Sequence, residues 1–278
     1  MEDGGGVGGF DPRDLTWGGM FERPRDRRVV RVVETLTGRL QALRLIRDFA
    51  MRPTPVGSEI WSAVLDVMGI EITTPPDEIA RIPRDGPLVV VANHPTGPLD
   101  GVVLAWLVSR VRDDYRILAR ELVGMRETGF APFLIPVPVW SSPSARRDGL
   151  RMRDAARAHL ASGGALAYFP AGGVAASESG PPVEGDWTVF TAKLIREVQA
   201  TVLPVFLPQQ PSWLYRLANR VSPVLRQGLL MHEAVRQRGR PIRPVIGAPI
   251  APDAQGDWIG APRQAMAALR AHTLALGG

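Results

Sequence analysis

VVVANHPTGPLDG, residues 89–101, is the stretch on which the fold turns. Three consecutive valines form an apolar run with no polar alternation, the pattern of a strand buried on both faces. Pro95 pushes His94 toward an extended conformation, so the chain leaves the strand in a turn. Pro98 suits the first position of a helix, and Asp100 falls in its first turn, where a carboxylate meets the positive helix end. Working outward, the same grammar repeats. Strands are predicted at 88–92, 115–118, 133–137, 165–169, 201–206 and 242–246. Helices are predicted at 98–111, 144–161, 187–199 and 262–276. Strands alternating with helices indicate an α/β fold with a mixed, partly parallel sheet flanked by helices.

Upstream of Pro75-Pro76 the pattern differs. Residues 1–25 are glycine-rich and aperiodic, and are expected to be largely disordered. Residues 26–74 form an N-terminal amphipathic helical segment. Val29, Val33, Leu36, Leu40, Leu43, Ile46 and Ala50 recur at three- and four-residue steps, which predicts a helix over 27–50. Pro53 and Pro55 stop it. Ser58 then caps a second helix that ends at Gly69. Residues 75–278 form the α/β domain.

The chain has 278 residues, 45% hydrophobic and 22% charged, with no cysteine. That composition excludes a collagen, a charge-rich disordered chain and a disulfide scaffold. No apolar run approaches the roughly 20 residues that cross a bilayer. The opening MEDGGGVGGFDPRD lacks the basic end and apolar stretch of a secretory signal, so a cytoplasmic protein is expected. The net charge is +5, and Lys193 is the only lysine among 33 basic residues. Arginine grips phosphate bidentately, which fits an anionic lipid, an acidic carrier protein or nucleic acid. A nucleic-acid binder has no further support, because zinc-finger spacing, an aromatic RNP-like strand and a dense basic run are all missing. The four histidines show no metal-ligand spacing.

The chemistry-bearing residues lie at the 89–101 turn. His94 sits in the loop with Asp100 just ahead of it. A carboxylate so placed holds one imidazole tautomer and stabilises the imidazolium formed on proton uptake. Taken singly, each residue has a plainer reading: a satisfied loop histidine and a helix-capping aspartate. Asn93 adds an amide at the same turn. Neither a Gly-x-Ser-x-Gly elbow nor a cysteine supplies a nucleophile. A His–Asp pair without a nucleophile points to direct transfer, in which the base deprotonates an acceptor hydroxyl or amine.

ANHPTGPLDG resembles the first motif of the glycerolipid acyltransferases, the PlsC-like superfamily. Further blocks agree in order and spacing. YRILARELVGMRETGFAPFLIPVPVW (115–140) resembles the second motif region, GGALAYFPAGGVAAS (163–177) the third, and TVLPVFLPQQPSWLY (201–215) the fourth. The Phe-Pro-Ala-Gly wording and the following Asp186-Trp187 are most similar to the hemolysin-like, or ornithine-lipid, acyltransferase subgroup. The resemblance implies a glycerolipid acyltransferase-like fold with His94 as general base and Asp100 as its orienter. It also implies a fatty acyl thioester donor, acyl-CoA or acyl-ACP, as co-substrate and no bound cofactor. A membrane lipid or lysolipid would accept the acyl group, an acyl carrier protein is a candidate partner, and the enzyme would sit on the inner, anionic face of the cell membrane.

Two departures stand out. His94 and Asp100 are separated by five residues where the motif has four. Ala171 or Gly173 stands where the third motif carries a glutamate that binds an acceptor hydroxyl or braces the loop; Glu178 and Glu184 are candidate substitutes. These departures support the alternative of a weakened or inactive lipid- or carrier-binding protein on the same fold. In the turn Phe169-Pro170-Ala171-Gly172-Gly173, glycines would let backbone N–H groups approach a phosphate or oxyanion. The plainer reading is a tight exit from a strand. Arg120, Arg146 and Arg147 are the candidates for an acceptor phosphate. Trp106, Trp140, Trp213 and Phe206 are candidates for an acyl groove or a lipid interface. The basic flank of helix 27–50 also suits an anionic bilayer, the other reading being simple packing on the core.

Overall fold

The computed structural model describes residues 15–120, 129–138, 144–176, 182–256 and 260–278. Its centre is a six-stranded sheet made of β1 (Leu88–Ala92), β2 (Tyr115–Arg120), β3 (Leu134–Val137), β4 (Ala165–Tyr168), β5 (Thr201–Phe206) and β6 (Val245–Ile246). The spatial order is β3-β2-β4-β1-β5-β6. Every neighbouring pair is parallel except β5–β6, which is antiparallel. β1 is central and buried along its whole length, as its unbroken apolar sequence requires.

Side chains alternate across a strand, so β1 feeds two cores. Leu88, Val90 and Ala92 join the core on the face covered by α3 (Glu59–Met68) and α5 (Pro98–Ser109). Val89 and Val91 join the core formed with α6 (Ala145–Ala161), α7 (Val189–Val198) and α11 (Pro262–Ala275). The expected β/α alternation is present, with helices on both faces. Some boundaries move. The last strand is Val245–Ile246 only, and Ile242 makes an isolated bridge to Ile72 instead. Four short helices were not predicted: α4 (Pro76–Ile79), α8 (Trp213–Val221), α9 (Pro223–Gly228) and α10 (Leu230–Val235).

The N-terminal segment corrects two expectations. First, the helix predicted over 27–50 is two helices, α1 (Pro24–Thr37) and α2 (Arg39–Ala50). The break is at Gly38, where a Cβ would lie 2.8 Å from the His232 amide nitrogen; α10 comes too close for any side chain. The buried face is also shifted from the predicted stripe. Val30 and Leu45 are buried, whereas Leu36 and Leu40 are 79% and 63% exposed. Second, residues 1–25 are not wholly without structure. Residues 1–14 lie outside the described residues, but Trp17–Met20 forms a short 3-10 helix. The Thr16 hydroxyl and the Trp17 N–H both donate to the buried Glu34 carboxylate, at 2.7 Å each. A charged residue on the buried face of α1 thus gives the preceding segment its anchor.

Segment 26–74 shares its core with the rest of the chain. Leu45, Ile60, Trp61 and Leu65 lie in the same core as β1 and α5, and the Trp61 indole N–H donates to the Tyr115 hydroxyl. The Thr73 N–H and the Thr74 hydroxyl donate to the Ile242 and Pro244 carbonyls.

Candidate active site

The loop between β1 and α5 lies at the carboxyl edge of the sheet, the edge at which parallel sheets offer sites to ligands. Asp100 is fully buried at the third position of α5 and its carboxylate reaches back to cap the helix at Gly97. Its Oδ2 accepts the Thr96 and Gly97 N–H groups, both at 2.8 Å, and lies 2.9 Å from His94 Nδ1. Its Oδ1 accepts the Thr96 hydroxyl at 2.6 Å. The carboxylate that caps α5 thus also faces the His94 ring, so the capping and orienting readings do not exclude each other. The five-residue separation is absorbed at Gly97. Its φ of 105° and ψ of −132° fold the loop back onto the helix start, in a region of backbone space open essentially to glycine alone.

Asp100 Oδ2 faces Nδ1, so a hydrogen carried there would leave Nε2 as the ring's lone-pair nitrogen. Among the described residues Nε2 has no hydrogen-bond partner, and the His94 side chain is 16% exposed. The Phe169 ring lies flat on the imidazole, with centroids 3.9 Å apart and planes 5° from parallel. The ring is thus stacked across its face by Phe169 and met at Nδ1 by a buried carboxylate.

Glu184 completes the loop. Its Oε2 accepts the His94 backbone N–H at 2.9 Å, and its Oε1 accepts the Trp187 indole N–H at 2.9 Å. Burial raises its carboxyl above the ordinary glutamate range, opposed by these two hydrogen bonds and by the charge of Arg270. The third motif lacks its acid at Ala171 and Gly173, yet a carboxylate arrives at the loop from another position. Of the two candidate substitutes, Glu178 lies outside the described residues.

The remaining candidates divide. Asn93 uses its side chain within the fold. Its amide donates to the Leu207 carbonyl at 2.9 Å and accepts the Leu207 N–H at 2.7 Å, stitching the end of β1 to the chain after β5. In the third-motif turn, Phe169 meets His94 and Pro170 is buried, its carbonyl accepting the Thr188 N–H. Gly172 and Gly173 are exposed, and a Cβ on either would meet nothing within 4 Å. Ala171 is half-buried.

Arg120 ends β2. The registers Ile117↔Ala167 and Val90↔Ala167 put it level with Asn93, two strands across, about 10 Å away at the usual strand spacing. Burial lowers the pKa of its guanidinium, no carboxylate pairs with it among the described residues, and one nitrogen lies 3.3 Å from Met20 Sδ. Arg146 and Arg147 are exposed at the start of α6, on the other side of the sheet from α5, and Arg147 pairs with Asp148 on its own helix. No described contact links either arginine to His94.

Among the groove candidates, Trp106 is packed between α5 and α3, its indole N–H donating to Ser62. Trp213 points to solvent from α8. Phe206 ends β5, with its ring at the place a Cβ on Gly277 would occupy. Trp140 lies outside the described residues. A groove of about 310 Å³ lies between α6 and α7, lined by Leu150, Arg153, Phe190 and Lys193 among others, and does not include His94. Among the described residues no group of three His, Asp or Glu side chains gathers to hold a metal, and no helix is long and apolar enough to cross a membrane.

Comparison with known proteins gives matches to a family model, to two relatives and to a solved structure. Residues 77–207 match the family model described as Acyltransferase. A lyso-glycine lipid O-acyltransferase of Phocaeicola vulgatus is 28% identical over 200 residues, covering 69% of this chain and 66% of its own. A protein of the same description from Bacteroides thetaiotaomicron is 28% identical over 165 residues, covering 58% and 54%. The chain thus spans just under two thirds of one relative and about half of the other. Among solved structures, the 1-acyl-sn-glycerophosphate acyltransferase PlsC of Thermotoga maritima aligns with a TM-score of 0.44 at 15% identity, over 89% of this chain and 93% of that one.

Proposed function

Taking residues 77–207 as an acyltransferase domain, we propose that this protein moves a fatty acyl group from an acyl thioester to a lysolipid-type acceptor, with His94 as general base. The reading rests on one observation above all: an imidazole held by Asp100 at Nδ1 and by Phe169 across its face, with Nε2 open. In the step, Nε2 takes the proton of the acceptor hydroxyl as the oxygen attacks the thioester carbonyl. The tetrahedral oxyanion collapses and expels the thiolate, which recovers the proton from the imidazolium. No bond to the enzyme forms. Asp100 keeps the ring in its tautomer and stabilises its charged form.

The relatives' description as O-acyltransferases favours a hydroxyl over an amine acceptor. In this reading Arg120 meets an anionic headgroup and the Gly172-Gly173 backbone the oxyanion; support comes from the position of Arg120 at the end of β2 and the exposure of the two glycines. The donor is acyl-CoA or acyl-ACP, and the place of action the inner face of the cell membrane, on an anionic lipid surface. The alternative is a weakened or inactive lipid- or carrier-binding protein. It rests on the missing acid of the third motif, and Glu184 at the His94 amide weighs against it.

Mass spectrometry of product formed from each donor with a mixture of lysolipids tests the reading. Acylated lysolipid is expected with the native chain, and at least about a 10³-fold loss with His94→Ala, whose fold should persist. Full activity in that variant refutes the mechanism. No product from the native chain with either donor supports the binding-protein alternative.

A further inference from the structure

α8 is tied to the catalytic loop on one face and left open on the other. Ser212 caps it, its hydroxyl accepting the Tyr215 N–H and donating to the buried Glu233 carboxylate. Tyr215 is buried and its hydroxyl donates to the Ala175 carbonyl at 3.2 Å. The Ala175 N–H donates in turn to the His94 carbonyl at 2.8 Å. The inner face of α8 is therefore two hydrogen bonds from the base.

The outer face is apolar. Trp213, Leu217 and Val221 stand at i, i+4 and i+8, a single ridge along the helix, and are 69%, 50% and 66% exposed. Isolated exposed apolar side chains need no explanation, whereas a tryptophan-led ridge along one helix is an interaction surface. Arg216 and Arg220, both exposed, lie along one edge of that ridge, and α8 has no acidic residue. We propose that α8 docks this protein on an anionic lipid bilayer. Trp213, Leu217 and Val221 enter the boundary between headgroups and acyl chains, and Arg216 and Arg220 meet the anionic headgroups. Charge decides for lipid: an apolar ridge edged by cations alone matches the anionic surface of a membrane, where an indole ring also partitions well. The proposal borrows from the acyltransferase reading only its consequence, that a lysolipid reaches His94 from the surface on which α8 rests.

Sedimentation of the full chain with vesicles tests it, using pure phosphatidylcholine or an equal mixture with phosphatidylglycerol. The native chain should bind the mixed vesicles. Trp213→Ala combined with Leu217→Ala should weaken that binding at least about tenfold. Arg216→Gln with Arg220→Gln should weaken it roughly tenfold or more on mixed vesicles and leave phosphatidylcholine binding unchanged. All variants should melt like the native chain, because these side chains are exposed, and should acylate a water-soluble short-chain lysolipid at the native rate. Native-like vesicle binding by the Trp213/Leu217 variant overturns the proposal. So does a fall in oligomeric mass with unchanged vesicle binding, which would make the ridge a contact between copies. If α8-dependent vesicle binding is seen but no acyl transfer, docking stands and the acyltransferase reading falls.

Discussion

The backbone N–H of His94 donates to Oε2 of Glu184, 2.9 Å away and ninety positions further along the chain. This bond joins the loop between β1 and α5 to the segment after the Phe169–Gly173 turn, and it holds the His94 backbone in place. Glu184→Gln keeps one carbonyl acceptor, enough for the His94 amide or for the Trp187 indole but not for both. We expect a fall in kcat of about tenfold for Glu184→Gln and about a hundredfold for Glu184→Ala, because loss of loop position is costly. KM for the donor should change little. Steady-state kinetics with each variant checks the ordering, and an Ala variant as active as the native enzyme removes the bracing role.

Asp100→Asn isolates tautomer control. Oδ2 faces Nδ1 and the Thr96 and Gly97 N–H groups alike, so an amide whose NH2 turns to Nδ1 imposes the wrong tautomer and gives up both loop N–H bonds. The expected loss is about 10³- to 10⁴-fold in kcat, with about 1–2 kcal/mol lost from the helix cap. Activity and thermal melts together separate the two effects.

Gly97→Ala tests the turn that accommodates the extra residue between His94 and Asp100. At φ 105° an alanine is strained, and its Cβ would sit 3.3 Å from Leu230 Cδ2. Denaturant titration should register a loss of about 1–3 kcal/mol.

Glu34 supplies a pH prediction. It is fully buried, and desolvation raises its carboxyl above its ordinary value of 4.5 despite the Thr16 and Trp17 hydrogen bonds and the charges of Arg39 and Arg31. A raised folded-state pKa means the folded chain holds this proton more tightly than the unfolded one. The group's contribution to stability is therefore present below 4.5 and lost as pH rises through its folded value. Glu34→Gln should lose that decline, giving a flatter curve of Tm against pH over the same interval.

Arg112 is 2% exposed, donates to the Pro83, Gly86 and Gly163 carbonyls and pairs with Asp114. Arg112→Met leaves those carbonyls without their donor and should cost about 3 kcal/mol in denaturant titration. Hydrogen bonding to Arg112 also lowers the Asp114 pKa, so that pair's stabilisation is present above 3.8 and is lost as pH falls through the lowered value.

By itself the sequence determined the β1–turn–α5 unit, the alternation of strands and helices around it and the pairing of His94 with Asp100. These are short-range matters, decided by apolar runs, proline geometry and the preference of a carboxylate for a helix start. Tertiary structure decided the rest. Asn93 became a tie because Leu207 arrives beside it, Gly38 a break because His232 presses against it, and Glu184 a brace because the chain returns to His94 from ninety residues away. A buried Glu34 reads as a surface charge until Thr16 and Trp17 fold over it. A hydrogen bond or close approach between distant residues leaves no period or spacing in the chain, because its partner is chosen by packing.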